Sequence, residues 1–139
     1  MSIFDTYNLP RQQYLGNKIK YIDFIKDKIP EDVTTICDAF SGSGIVSFEL
    51  KKKYRIISNE ILSSGYHLSK SMIENNAIKL SKREIKNICN NNSNKKSFIE
   101  DNFTDLYYTK DECKFLDNLH SNILEIEDEH KRSIVFTAI

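Results

Sequence analysis

Val33-Thr34-Thr35-Ile36-Cys37-Asp38-Ala39-Phe40-Ser41-Gly42-Ser43-Gly44-Ile45, followed by Tyr54-Arg55-Ile56-Ile57-Ser58-Asn59-Glu60, decides the fold. Val33 to Cys37 is short and β-branched, the pattern of a buried strand. Ser41-Gly42-Ser43-Gly44 is a turn. Ile45 to Lys53 has helical spacing, with Ile45, Phe48 and Leu50 apolar, and Tyr54 to Ser58 reads as a second strand. Strand, Gly-rich turn, helix and strand in that order open a parallel α/β sheet with flanking helices.

Working outward, Gly16-Asn17-Lys18 leads into a helical pattern in which Ile19, Ile22, Ile25 and Ile29 recur at three- and four-residue steps, ended by Pro30. A third helix is expected from about Tyr66 to Leu80, with Leu68, Met72 and Ile73 inward. Asn90 to Lys96 is a polar loop. Thr109-Lys110-Asp111-Glu112 has the form of an N-cap and capping box, opening a helix with Cys113, Leu116, Leu119 and Ile123 inward. The chain then stops on the apolar run Ser133 to Ile139, which reads as a cut rather than a natural terminus. The expected organisation is one partial domain over 1–139: an N-terminal element and helix (1–30), a βαβ core (31–80) and a helical and loop insertion (81–139).

The turn carries the chemistry. Glycines let the backbone turn sharply and let a ligand lie against it. The helix after it starts with N–H groups that have no partner inside the helix. Glu60 follows the second strand, about twenty residues past the first, where a parallel α/β sheet places the carboxylate that accepts from ribose hydroxyls. A dinucleotide loop also wants Gly or Ala three residues after its second glycine; Ser47 stands there. A phosphate-free cofactor needs no pyrophosphate cradle, and Asp38 at the tip of the first strand either serves such a ligand or caps the turn.

Composition narrows the class. The chain has 139 residues, enough for a core, and 40% of them are apolar, so it is not a disordered composition. No window approaches the ~20 apolar residues of a membrane span, and the N-terminus lacks a secretory pattern. Cys37, Cys89 and Cys113 are widely spaced and form no metal-ligand cluster, which points to reduced thiols in a cytoplasmic protein without a metal. Twenty basic residues balance twenty acidic ones, so only their distribution informs. Lys79, Lys82, Arg83, Lys86, Lys95 and Lys96 stand against only Glu84 across 79–96, either a solvated face or a strip beside a nucleic-acid backbone.

Tyr14-Leu15-Gly16-Asn17-Lys18, then Asp38 to Gly44, then Asn59-Glu60-Ile61 resemble, in that order, the adenine-specific DNA methyltransferases of the Dam-like, D12 class. Asp101 to Lys110, with Leu116-Asp117-Asn118-Leu119, is similar to a segment that precedes the catalytic motif in many of them. The resemblance implies the N-terminal part of a Rossmann-like class I fold that uses S-adenosylmethionine. The function it implies is methylation of adenine N6 in double-stranded DNA, within a restriction–modification system. It also implies roles. Tyr14 packs on the cofactor, and Lys18 contacts its methionine carboxylate. Phe40, Ser41, Gly42, Ser43 and Gly44 wrap it, Glu60 holds the ribose, and Ile61 lies on the adenine. From the residues alone, Lys18 is equally a solvated lysine at a helix start.

One element of the family is missing. Its Asp-Pro-Pro-Tyr type motif accepts the hydrogens of the adenine amine and stacks an aromatic on the flipped-out base. The only prolines here are Pro10 and Pro30, so no catalytic residue is assigned. Two readings follow: a fragment or split subunit of the enzyme, inactive alone, with a second polypeptide carrying the motif in the split case, or a remnant that binds cofactor or DNA without turnover. Another class I methyltransferase and a dinucleotide oxidoreductase are the further alternatives; the Tyr14–Lys18 element argues against both, and Ser47 against the second. In the family's strand order, 3-2-1-4-5-7-6, strand 1 is central. A chain stopping before strand 4 therefore leaves an open edge, and marginal stability is expected.

Overall fold

The computed structural model describes residues 18–139. Tyr14, Gly16 and Asn17 of the N-terminal element lie outside the described residues. The chain divides into two compact units, one up to Asn76 and one from Ala77 to Ile139.

In the first unit a 3-10 turn, Ile19–Tyr21, leads into helix α1, Ile22–Asp27. Strand β1 is Thr35–Asp38, helix α2 is Ile45–Leu50 and strand β2 is Arg55–Ser58. The strands pair in parallel, Thr35 with Arg55 through Asp38 with Ser58. This is the strand, turn, helix and strand expected, with edges moved by a residue or two and α2 ending three residues early. Ile36, Asp38, Ile56 and Ser58 share the half-buried face; Thr35, Cys37, Arg55 and Ile57 alternate onto an exposed one. Parallel sheets are ordinarily covered on both faces, whereas Ile57 of this one is exposed. The sheet and its helices are consistent with a methyltransferase fold.

The third helix differs from expectation. Helix α3 is Ser63–Ser69, and it widens into a π-helical turn, Lys70–Glu74, that ends at Asn75. Lys51 accounts for that end. Its ammonium donates to the carbonyls of Met72 (2.8 Å), Ile73 (2.9 Å) and Asn75 (3.2 Å). Those carbonyls are the orphans left at a helix C-terminus, and a cation suits them. Leu68 and Ile73 are buried as expected, Met72 half so.

The second unit is helical: α4 is Lys82–Ile88, α5 Phe98–Phe103, α6 Lys110–Leu124 and α7 Glu129–Ala138. Ile88, Leu119, Ile123 and Val135 form its core. The Thr109–Glu112 capping box is present, and Ser81–Glu84 makes a second one. Cys113, Leu119 and Ile123 are buried, whereas the expected inward Leu116 is only half-buried and Asp117 next to it is 3% exposed. Asp117 is stable there because its two oxygens accept from the N–H groups of Ile99 and Glu100, both at 2.9 Å, which caps α5 from a neighbouring helix. The polar loop is ordered by α6: Asn92 N–H donates to Asn118 (2.9 Å) and its amide to Asn122 (2.8 Å), while Asn122 donates to the carbonyls of Ile88 and Asn90. The terminal apolar run is the second half of α7, started by Asp128, which accepts from the His130 and Lys131 N–H groups.

Candidate functional site

β1 and β2 run side by side and end together, so the segments that leave them are neighbours. Hydrogen bonds then join those segments. Asn59 N–H donates to Asp38 carbonyl at 2.9 Å, and Asn59 side-chain amide to Ala39 carbonyl at 2.9 Å. In return, Ser41 donates to Asn59 carbonyl through its N–H (3.0 Å) and its hydroxyl (3.2 Å). The loop turns back through two left-handed glycines, Gly42 at φ 51° and Gly44 at φ 67°. Gly44 is required twice over, since a Cβ there would also press on Ile73 Cδ1 at 3.1 Å. Among the described residues nothing lies within 4 Å of where a Cβ on Gly42 would stand.

Glu60 sits across from the loop. Its Oε2 accepts the Gly42 N–H at 2.8 Å, and its Oε1 accepts those of Ile61 (2.9 Å) and Leu62 (3.1 Å). The N–H of Leu62 foremost, then those of Gly42 and Ile61, hold the carboxyl below its usual range. At neutral pH the group is therefore an anion that only accepts. A carboxylate offers about four acceptor positions, and three are filled by backbone, so about one remains for an outside donor before the Gly42 bond must yield. Gly65, buried in α3, lies under the stem of Glu60.

Asp38 is fixed from behind. Its Oδ2 accepts the hydroxyl of Ser47 at 2.7 Å, and Ser47 is wholly buried in α2. The small residue that distinguishes this loop from a dinucleotide loop thus ties the helix to the end of β1. Phe40 and Ile61, on the two joined segments, are apolar side chains 92% and 94% exposed. Lys18 is exposed at the start of the 3-10 turn, and it is not among the residues these bonds join. A cavity of about 500 Å³, lined by Lys51, Ile56, Ser58, Tyr66 and Ile73 among others, lies beside β2 and does not include Asp38, the loop or Glu60.

Three loop donors are taken within the first unit. The N–H groups of Ser41, Gly42 and Gly44 donate to Asn59, Glu60 and Ser41 respectively. Sequence reasoning missed Ser47, Asn59 and Gly65 as parts of the site. Ser47 was visible only as a departure from another motif, and Gly65 as one glycine in a Ser-Ser-Gly-Tyr run.

Among the described residues no group of three or more His, Cys, Asp or Glu is placed to hold a metal ion, and no helix is long and apolar enough to cross a membrane.

A parallel β-loop-α-β unit with a glycine turn at the end of one strand and a carboxylate past the end of the next makes this an α/β protein. Residues 14–136 match the family described as D12 class N6 adenine-specific DNA methyltransferase, and the chain belongs to that family. It is similar to the type II methyltransferase M2.HphI of Haemophilus parahaemolyticus, 38% identical over 133 residues that cover 91% of this chain and 38% of that protein. It is also similar to the type II methyltransferase M.FokI of Planomicrobium okeanokoites, 40% identical over 70 residues, 48% of this chain and 11% of that one. The chain thus spans well under half of either relative. No solved structure matches.

Proposed function

We propose that residues 1–139 form the cofactor-binding part of a DNA adenine-N6 methyltransferase that uses S-adenosylmethionine and acts in a restriction–modification pair. The carrying observation is the Glu60 carboxylate, ionised and bonded across to Gly42 at the mouth of the sheet, in a chain of this family. Ser47, standing where a dinucleotide loop has Gly or Ala, favours a phosphate-free nucleoside over a dinucleotide. The family match runs through both units and supports reading them as one Rossmann-like methyltransferase domain.

S-adenosylmethionine supplies a methyl group on a sulfonium, an electrophilic carbon ready for transfer. Glu60 holds the ribose by accepting from a hydroxyl at the acceptor position its backbone partners leave. Ile61 lies against the adenine, and Phe40 to Gly44 wrap the adenosyl and methionine parts. Burying the exposed Phe40 and Ile61 side chains against the cofactor removes apolar surface from water, worth about 25 cal/mol per Å². Lys18 pairs with the methionine carboxylate, and Tyr14 packs beside it. Asp38, held by Ser47, sits on the methionine side of the turn.

None of these residues activates the adenine amine. The Asp-Pro-Pro-Tyr type motif that does so requires adjacent prolines, and residues 1–139 hold only Pro10 and Pro30. We place that motif, and the target recognition of double-stranded DNA, outside residues 1–139, on the same or a second polypeptide. Residues 1–139 alone are then inactive in transfer, in a cytoplasmic enzyme that uses no metal.

The test is reconstitution. Residues 1–139 are joined to, or mixed with, the region of the Haemophilus relative that lies beyond the match, and incubated with DNA and methyl-labelled cofactor. Label in N6-methyladenine, and none without the added region, is expected. Label in methylcytosine, or transfer by residues 1–139 alone, would overturn the reading.

A further inference from the structure

Glu60 does not reach its three N–H partners freely; it is threaded. Its stem leaves the end of β2 and passes over the first turns of α3, where Gly65 is buried. A Cβ built on Gly65 would collide with Glu60 Cγ and come within 3.3 Å of Glu60 Cβ and Cδ. Cγ is mid-stem, with both ends held: the backbone at one, and the N–H groups of Gly42, Ile61 and Leu62 at the other. It cannot step aside without breaking those bonds. The glycine has no other local reason to be there. Its φ is not left-handed, it stands inside a helix, and a helix interior favours alanine.

We propose that Gly65 is a positioning residue for Glu60: the missing side chain at 65 leaves the channel for the Glu60 stem and so sets where the carboxylate meets a ribose. The last clause rests on the cofactor reading above; the channel itself does not. Filling it turns the stem, which releases Gly42 and moves the anion off the ribose position.

The experiment compares wild type, Gly65→Ala, Glu60→Ala and the double variant. Melting temperature is read first. Gly65→Ala lowers it in the Glu60 background. In the Glu60→Ala background, where Cγ and Cδ are gone and only the Cβ contact at 3.3 Å remains, the same substitution costs much less, because alanine is the better helix former. Should Gly65→Ala alone fail to fold, the double variant is expected to fold again. A loss of similar size in both backgrounds, or no recovery, would overturn the proposal.

The second readout is NMR without ligand. In wild type the Gly42 amide shift follows the titration of the Glu60 carboxyl; in Gly65→Ala that coupling disappears and the carboxyl returns toward its ordinary range. An unchanged Gly42 amide would refute the proposal. Third, S-adenosylhomocysteine affinity falls about tenfold or more in Gly65→Ala, as expected when a hydrogen bond to a charged group is lost, and no further in the double variant than in Glu60→Ala. If wild type binds no S-adenosylhomocysteine while the first two readouts hold, the cofactor reading fails and the positioning role stands.

Discussion

Replacing Ser47 by alanine removes one oxygen from a wholly buried position and leaves the methylene packing nearly intact, so it isolates a single bond. That bond runs 2.7 Å to Asp38 Oδ2. Hydrogen bonds to charged groups contribute about 1.5–3 kcal/mol. Asp38 is half-buried and water can replace part of what is lost, so Ser47→Ala is expected near the lower limit, about 1.5 kcal/mol. The reverse deletion, Asp38→Ala, strands a buried hydroxyl, which costs about 1–3 kcal/mol less any bond Ser47 makes back to its own helix. The double variant should lose little more than the worse single, giving a coupling of about 1 kcal/mol. Urea unfolding reads this directly: with m near 1–3 kcal/mol/M, Ser47→Ala moves the midpoint down by roughly 1 M without changing m. Single effects that add to within about 0.3 kcal/mol would mean the two side chains do not interact, and the tie between α2 and the end of β1 would be refuted.

Three further expectations concern other parts of the chain. In the second unit, Lys131 first, then the hydroxyl and N–H of Ser81, hold the Glu84 carboxyl down at about 2, against 4.5 ordinarily. Between those values the unfolded chain binds the proton that the folded one refuses. The Glu84 contribution is therefore whole above about pH 4.5 and lost as pH falls toward 2; Glu84→Gln should flatten that limb of a stability profile, and an unchanged limb would count against the bond. Lys51→Met should strip the π-helical turn of its three-carbonyl cap, destabilise by roughly 2 kcal/mol, and speed amide exchange around Lys70–Asn75 while leaving the second unit protected. Asp117→Ala should cost about 2 kcal/mol and unprotect α5, with Asp117→Asn recovering part of it through its one remaining oxygen; full protection of α5 in the alanine variant would contradict the cap.

What could be read in advance followed from locality. The β-branched run before Ser41 to Gly44 and the apolar spacing after it define β1, the turn and α2 through neighbours in sequence, and they were placed to within a few residues. The Thr109–Glu112 box was legible for the same reason. Ser81–Glu84 has the same spacing, yet its surrounding lysines drew the reading toward a charged strip; Glu84 is instead bonded to Lys131, 47 residues on. The Asn90 to Lys96 stretch reads only as a polar loop because the partners that hold it, Asn118 and Asn122, lie on another element. The early end of the third helix turns on Lys51, distant in sequence from the carbonyls it caps. In the site, Glu60 and the glycines were legible as types at a spacing. That Glu60 would bond Gly42, that Ser47 would hold Asp38, and that Gly65 would lie beneath Glu60 required the strands to be set side by side.

The central claim is a nucleoside site that takes S-adenosylmethionine through Glu60. Calorimetric titration of the protein with S-adenosylhomocysteine, repeated on Glu60→Ala and with NAD as the competing ligand class, tests it most directly. The account predicts one-to-one binding of S-adenosylhomocysteine, weakened about tenfold or more by Glu60→Ala, and no heat from NAD. Binding of NAD without S-adenosylhomocysteine, or S-adenosylhomocysteine affinity untouched by Glu60→Ala, would contradict it.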